Sequence, residues 1–260
     1  MKYKIGLKLY ASNIEYAKIA DYEFKRGSFD YIELYVVPGD LKKYKSVWEK
    51  SHLPFIIHAA HCFHGINLSK REYFPANKKA YEEAKKYADL LRAPIIIFHP
   101  GLAGDVHETA RQLKLFEDKK IVIENKPFIA LNGKRCVGGS INDIRVIMQE
   151  SGAGFCLDLT HAIKYAYSND IDYIEYLRRC MKLNPAIIHI SDGNTSSCFD
   201  EHLSLGKGNF DFVRICQIID LTKQQRFITF ESPKKISAKL RDFKKDVTFF
   251  KNIMKDGVFK

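Results

Sequence analysis

Asp158 and His161, in the segment CLDLTHA (residues 156–162), set a carboxylate and an imidazole three residues apart at the end of an apolar run. The same kind of position recurs along the chain. His58 follows PFII, His99 follows PIIIF, Glu124 follows KIVI and Glu231 follows RFITF, while His189 falls in AIIHIS. The segment DEHLSLGKG adds Asp200 and His202. Taken singly, each has an ordinary explanation. A histidine at a strand end is commonly a hydrogen-bonded core residue, and a carboxylate there caps the next helix. Taken together they require a cation, because crowded carboxylates repel and shift toward their neutral forms. Imidazole nitrogens and carboxylate oxygens suit zinc, and also manganese or iron. Nine donors exceed what one ion uses. The expectation is a centre of two or three divalent ions, Zn2+ first and Mn2+ second, with carboxylates such as Glu124 bridging.

Such residues act together only if the chain brings them to one point. Eight short β-branched or aromatic runs recur: KIGLKL, YIELYVV, PFIIHA, PIIIFHP, KIVIENK, GFCLDLT, AIIHIS and RFITFES. They are mostly continuously apolar rather than alternating, as expected for parallel strands covered on both faces. Charged segments with helical spacing lie between them. In NKKAYEEAKKYADLL, Ala80, Ala84, Tyr87, Ala88 and Leu91 fall on one face, and IDYIEYLRRCMK is a second example. No Pro/Ser-rich linker divides the chain. Eight βα units in 260 residues predict an α/β fold, a (β/α)8 TIM barrel forming one domain over residues 1–260. An open doubly wound sheet would carry a Gly-rich phosphate turn after its first strand, and KLYASN is not one. In a barrel the ends of the strands converge on one mouth, and six of the eight runs end in His, Asp or Glu.

The composition fits an intracellular enzyme with an anionic partner. The net charge is +11 and the hydrophobic content 46%. A basic balance favours nucleic acid or phosphorylated metabolites, although the lysines are scattered and form no block. The six cysteines form no CxxC pair, which is the pattern of free thiols in a reducing cytosol. MKYKIGLKLY has no apolar signal core, and no run is long enough to span a membrane. A soluble, cytoplasmic protein is expected.

These motifs carry a family likeness. FHPG (98–101), IEN (123–125), CLDLTHA, HISD (189–192), DEHLSLGKG (200–208) and INLS (66–69) resemble the xylose isomerase-like TIM-barrel superfamily, and within it are most like endonuclease IV. That family hydrolyses DNA at abasic sites with a trinuclear zinc centre. The resemblance implies metal-ligand roles for His99, Glu124, Asp158, His161, His189, Asp200, His202 and Glu231. For the third strand, His58 fits the strand end and His61 fits the spacing counted back from INL; His58 is favoured because a strand terminus is the more rigid platform. His61 and His64 then line the substrate pocket or belong to the loop. Gly101, Gly206 and Gly208 are expected to allow tight turns beside the metals. The segment YIELYV is instead similar to the sugar isomerase and epimerase branches, where a Glu on the second strand is common.

Two reactions remain open on one set of residues. Phosphodiester hydrolysis would use Glu124 to bridge metals and orient the nucleophile, with abasic-site DNA as partner. Its candidate backbone contacts are Lys126, Lys134, Arg135 and Lys207. Isomerisation or epimerisation of a sugar or sugar phosphate would use Glu124 and Glu231 as an acid/base pair on opposite sides of one carbon. A non-catalytic binding protein would show decay of the donor set, and the set is intact.

Overall fold

The computed structural model describes residues 3–220, 226–234 and 239–256. Eight strands run β1 (Tyr3–Tyr10), β2 (Tyr31–Val36), β3 (Phe55–Ala59), β4 (Ile96–Phe98), β5 (Ile121–Glu124), β6 (Gly154–Asp158), β7 (Ile187–Ile190) and β8 (Arg226–Phe230). Every neighbouring pair is parallel, and β8 returns to β1, closing the barrel. Each of the eight apolar runs is thus a strand. Helices cover the outside: α1 (Ala17–Lys25), α2 (Asp40–Trp48), α3 (Phe74–Leu90), α4 (Val106–Phe116), α5 (Ile141–Ser151), α6 (Leu159–Ser168), α7 (Tyr173–Met181), α8 (Phe212–Asp220) and α9 (Arg241–Asp256). In α3 a proline stands in the first turn, where its missing N–H costs nothing, and Ala80, Ala84, Tyr87 and Ala88 form the buried face. Leu91, expected on that face, is the C-cap and only half-buried. Among the described residues no helix is long and apolar enough to cross a membrane.

The strand period of two divides the side chains cleanly. One set, including Leu7, Ile32, Leu34, Ile57, Phe98, Ile123, Leu157 and Ile228, packs outward under the helices. The other set points into the barrel. Its lower layer is Tyr31, Ile56, Ile97, Val122, Cys156, Ile187 and Phe227. Gly6 belongs to that layer, and a Cβ there would stand 2.3 Å from Cζ of Tyr31, so β1 must be bare where the tyrosine ring crosses. One step of two residues up each strand brings Lys8, Glu33, His58, His99, Glu124, Asp158 and His189 to the C-terminal mouth. Parallel register sets Lys8 beside Glu33 and Asp158 beside His189.

Two loop anchors shape the mouth. Asn67 Oδ1 accepts from the backbone N–H of Leu102 at 3.0 Å and from the Ser69 hydroxyl at 2.7 Å. Gly101 makes this approach possible: its φ is +129, and a Cβ would lie 2.1 Å from Asn67 Oδ1. Between β7 and α8, the Asp192 carboxylate gathers the chain around itself, and Gly206 turns there with φ +77.

Candidate metal centre

Glu124 stands at the middle of the mouth. Its Oε2 lies 3.2 Å from His58 Nε2, 3.2 Å from His99 Nε2 and 3.3 Å from His189 Nδ1. Its Oε1 lies 3.1 Å from His161 Nδ1. On one side, Asp158 caps α6 by accepting the His161 N–H at 2.7 Å, and so fixes the Asp158–His161 pair of CLDLTHA. Its other oxygen faces His161 Nδ1 at 3.6 Å and His189 Nδ1 at 3.9 Å. Asp200 Oδ2 lies 3.0 Å from His161 Nε2 and 2.6 Å from His202 Nε2. Glu231 closes the ring, with Oε1 3.0 Å from His189 Nδ1 and Oε2 3.5 Å from His202 Nδ1. The strand ends and the loop after β7 therefore bring His58, His99, Glu124, Asp158, His161, His189, Asp200, His202 and Glu231 into one cluster.

These residues fit a divalent metal on three observations. Their ligand atoms form overlapping triads within 4.8 Å, among them His58–His99–Glu124, Glu124–Asp158–His161 and His161–Asp200–His202. His189 Nδ1 and Asp200 Oδ1 are buried and have no hydrogen-bond partner, a state that costs about 1–3 kcal/mol per group. The donors also oppose one another's charge states. Burial disfavours the His161 imidazolium, yet Asp158 and Asp200 overcome it and push the ring up to about 10. A ligating imidazole must be neutral, so metal loading there releases a proton.

Glu33 supports the ring from behind. Its Oε2 accepts from His189 Nε2 at 2.9 Å and from the Thr229 hydroxyl at 2.6 Å. The Thr229 oxygen in turn accepts from the Tyr31 hydroxyl, 2.7 Å away. A carboxylate bonded to the rear nitrogen of a histidine fixes which nitrogen faces the ligand side, here Nδ1. Burial raises the Glu33 carboxyl, but His189 and Lys8 outweigh it and bring it to about 2. Asn125 locks the ends of β5 and β6 together, donating to Asp158 O at 2.9 Å and accepting from Asp158 N at 2.8 Å.

The remaining expected residues divide. His61 lines the cavity, and its ring stacks on His99 at 4.6 Å between centroids. It belongs to none of the donor triads, whereas His58 does. Lys126 is not a surface cation: its ammonium lies inside the mouth, 3.2 Å from Glu124 Oε1 and 3.2 Å from His161 Nε2. His64 bonds the Tyr35 hydroxyl at 2.9 Å on the exposed rim, outside the cavity lining. Lys207 is also exposed and outside that lining, and Lys134 and Arg135 are exposed. The sequence reading missed Lys8 and named no site role for Glu33. The signal that finds both is the alternation upward from Gly6 and Tyr31. Above the donors opens a cavity of about 550 Å3, walled by Tyr10, Tyr35, Phe63, Ile129, Leu131 and Pro233.

A closed parallel barrel with its polar groups gathered at the C-terminal mouth is an enzyme scaffold of wide use. The chain belongs to the xylose isomerase-like TIM-barrel family, which it matches over residues 21–253. A curated relative, the probable endonuclease 4 of Thermoplasma volcanium, is 27% identical over 172 residues, covering 59% of this chain and 58% of that protein. The matched stretch thus spans little more than half of the relative. Among solved structures, endonuclease IV from Thermus thermophilus superposes with a TM-score of 0.70 at 18% identity, covering 98% of this chain and 100% of that one. A D-tagatose 3-epimerase-like protein superposes with a TM-score of 0.69 at 17% identity, covering 98% and 99%. At such identities the two structures share the fold with this chain.

Proposed function

We propose that this protein is a divalent-metal-dependent phosphoester hydrolase, with abasic-site DNA the first substrate to test. The observation that carries the reading is the continuity of the donor set. Three triads run across the mouth and share Glu124 and His161. A single ion serving an acid/base reaction would need only a few of these residues. Zinc, or manganese, held there would activate a water and polarise the phosphoryl oxygens. The chain's own residues do the rest. Glu124 belongs to three triads and His161 to two, and they hold the ligand groups in fixed relation. The Lys126 ammonium offers a charge to an incoming anion from inside the mouth. The excess of basic residues, +11 net, supports an anionic substrate, and binding to a DNA backbone should weaken steeply with salt.

A second reading is favoured by a different observation. Glu124 and Glu231 approach the same atom, His189 Nδ1, at 3.3 and 3.0 Å. Two carboxylates around one point under a cavity of about 550 Å3 suit proton transfer on a sugar or sugar phosphate. One experiment separates the two. Zinc-loaded protein is incubated with a duplex carrying one abasic site, with Glu124→Gln as control. Incision lost in the control supports the hydrolase. Without incision, solvent deuterium entering a sugar phosphate would move the assignment to the epimerase.

A further inference from the structure

Lys8 is a side chain of the mouth that neither reaction uses. It rises from the middle of β1, one step above Gly6, and its side chain is only 15% exposed. Nζ lies 2.9 Å from Glu33 Oε1, close enough for an ion pair though not aligned for a hydrogen bond. The same ammonium donates to Glu231 Oε1. Glu33, His189 and Glu231 are themselves a donor triad that could hold an ion. Lys8 therefore already stands against two of the three groups of that corner.

We propose that the Lys8 ammonium is a fixed cation of this centre, filling the Glu33–Glu231 corner so that the centre loads one divalent ion fewer than its donors could hold. The inference rests on the metal-centre reading above. Charge balance points the same way. With every imidazole neutral, as a ligand must be, Glu33, Glu124, Asp158, Asp200 and Glu231 share the mouth with Lys8, Lys126 and Lys234, a net of two negative charges. Two divalent ions leave the mouth with two positive charges, which an anionic substrate group such as a phosphate satisfies. Three ions would leave four positive charges there. Crowded like charges in a poorly solvated site are disfavoured.

The test counts metal. Metal-free wild type, Lys8→Met and Lys8→Arg are titrated with zinc by calorimetry, and the loaded proteins are measured by elemental analysis after desalting. The expected result is two zinc ions per chain in wild type and Lys8→Arg, and three in Lys8→Met. Glu33→Gln added to Lys8→Met removes a donor of the freed corner and returns the count to two. Equal counts in wild type and Lys8→Met overturn the role of Lys8 while leaving the metal centre in place. No zinc in any variant overturns the metal centre itself, and this proposal with it. If Lys8→Met does not fold, Lys8→Gln keeps a polar group of similar length at the corner and makes the same prediction of one added ion.

Discussion

Asp192 and Asp200 lie on one loop, eight residues apart, and the structure treats them in opposite ways. Asp192 is saturated by backbone amides. Its Oδ1 accepts from the N–H groups of Gly193 at 2.8 Å and Phe210 at 3.3 Å, and its Oδ2 from those of Gly206 at 2.9 Å and Gly208 at 2.8 Å. Asp200 faces two imidazoles through Oδ2 and leaves Oδ1 buried without a partner. A carboxylate whose lone pairs are all taken by amides has nothing left for a ligand, so its work is to fold the loop. A carboxylate with an oxygen free among imidazoles is poised for a cation. Hydrogen-bond satisfaction, more than burial or charge, separates the residue that builds the mouth from the residue left free to take a ligand there.

If that distinction holds, the largest effect is on stability at Asp192. Asp192→Ala strips the acceptor from four N–H groups at once and should cost about 3–5 kcal/mol in urea unfolding of the metal-free protein. A loss below about 1 kcal/mol would break the comparison. Gly208→Ala probes the same staple from the other side. A Cβ at Gly208 would stand 2.1 Å from Gly193 O and 2.4 Å from Asp192 Oδ1, so the loop must shift. The expected cost is about 1–3 kcal/mol, read as a lowered unfolding temperature. Asp200→Asn should behave differently. Zinc affinity, measured by competition with a chromophoric chelator, should fall at least about 10–100-fold. Metal-free stability should fall by less than in Asp192→Ala, because Asn keeps an oxygen toward the His161 and His202 rings in place of the charge that pairs with them. A metal-free protein that melts as low as Asp192→Ala would show that Asp200 is a loop staple too.

The same distinction explains what can be read before the fold is known. Strands buried on both faces appear as apolar runs, and their ends appear as abrupt polar residues, so the barrel and the donors at the strand ends are legible. Lys8 is not. In KIGLKLY the lysine interrupts an apolar run without marking its end, so it is not picked out with the strand-end donors. Its inward aim follows from Tyr31 crossing the barrel over Gly6, a contact made across 25 residues of sequence. Lys126 reads as a surface cation because it follows the strand, but it returns over Glu124 into the mouth. Asp192 lies in plain view in HISD, yet its four amide donors come from residues up to 18 positions away. Local pattern locates the groups, whereas the partners that decide each group's role come from elsewhere in the chain.

A third carboxylate sets the scale for both regions. Glu23, on α1, is buried and meets neither amides nor imidazoles: it accepts from the Ser28 hydroxyl at 2.6 Å and from the Lys244 ammonium at 2.7 Å. Burial raises its pKa, but the hydrogen bonds from Lys244 and Ser28 outweigh this and hold the carboxyl below its ordinary value. A depressed folded-state pKa stabilises the fold above the unfolded value, about 4.3 for Glu, and that contribution is lost as pH falls through the folded value. Lys244 is 41% exposed, so solvent screens the pair and the expected contribution is at most about 1 kcal/mol. Glu23→Gln should therefore unfold slightly more easily than wild type at pH 7, by that small amount, and the two unfolding curves should converge as the pH drops below about 4. A difference that persists at pH 3 would mean that the side chain acts through packing or its hydroxyl partner rather than through charge. Zinc affinity should be unchanged at every pH, which separates a carboxylate paired on the outside of the barrel from one held open at its mouth.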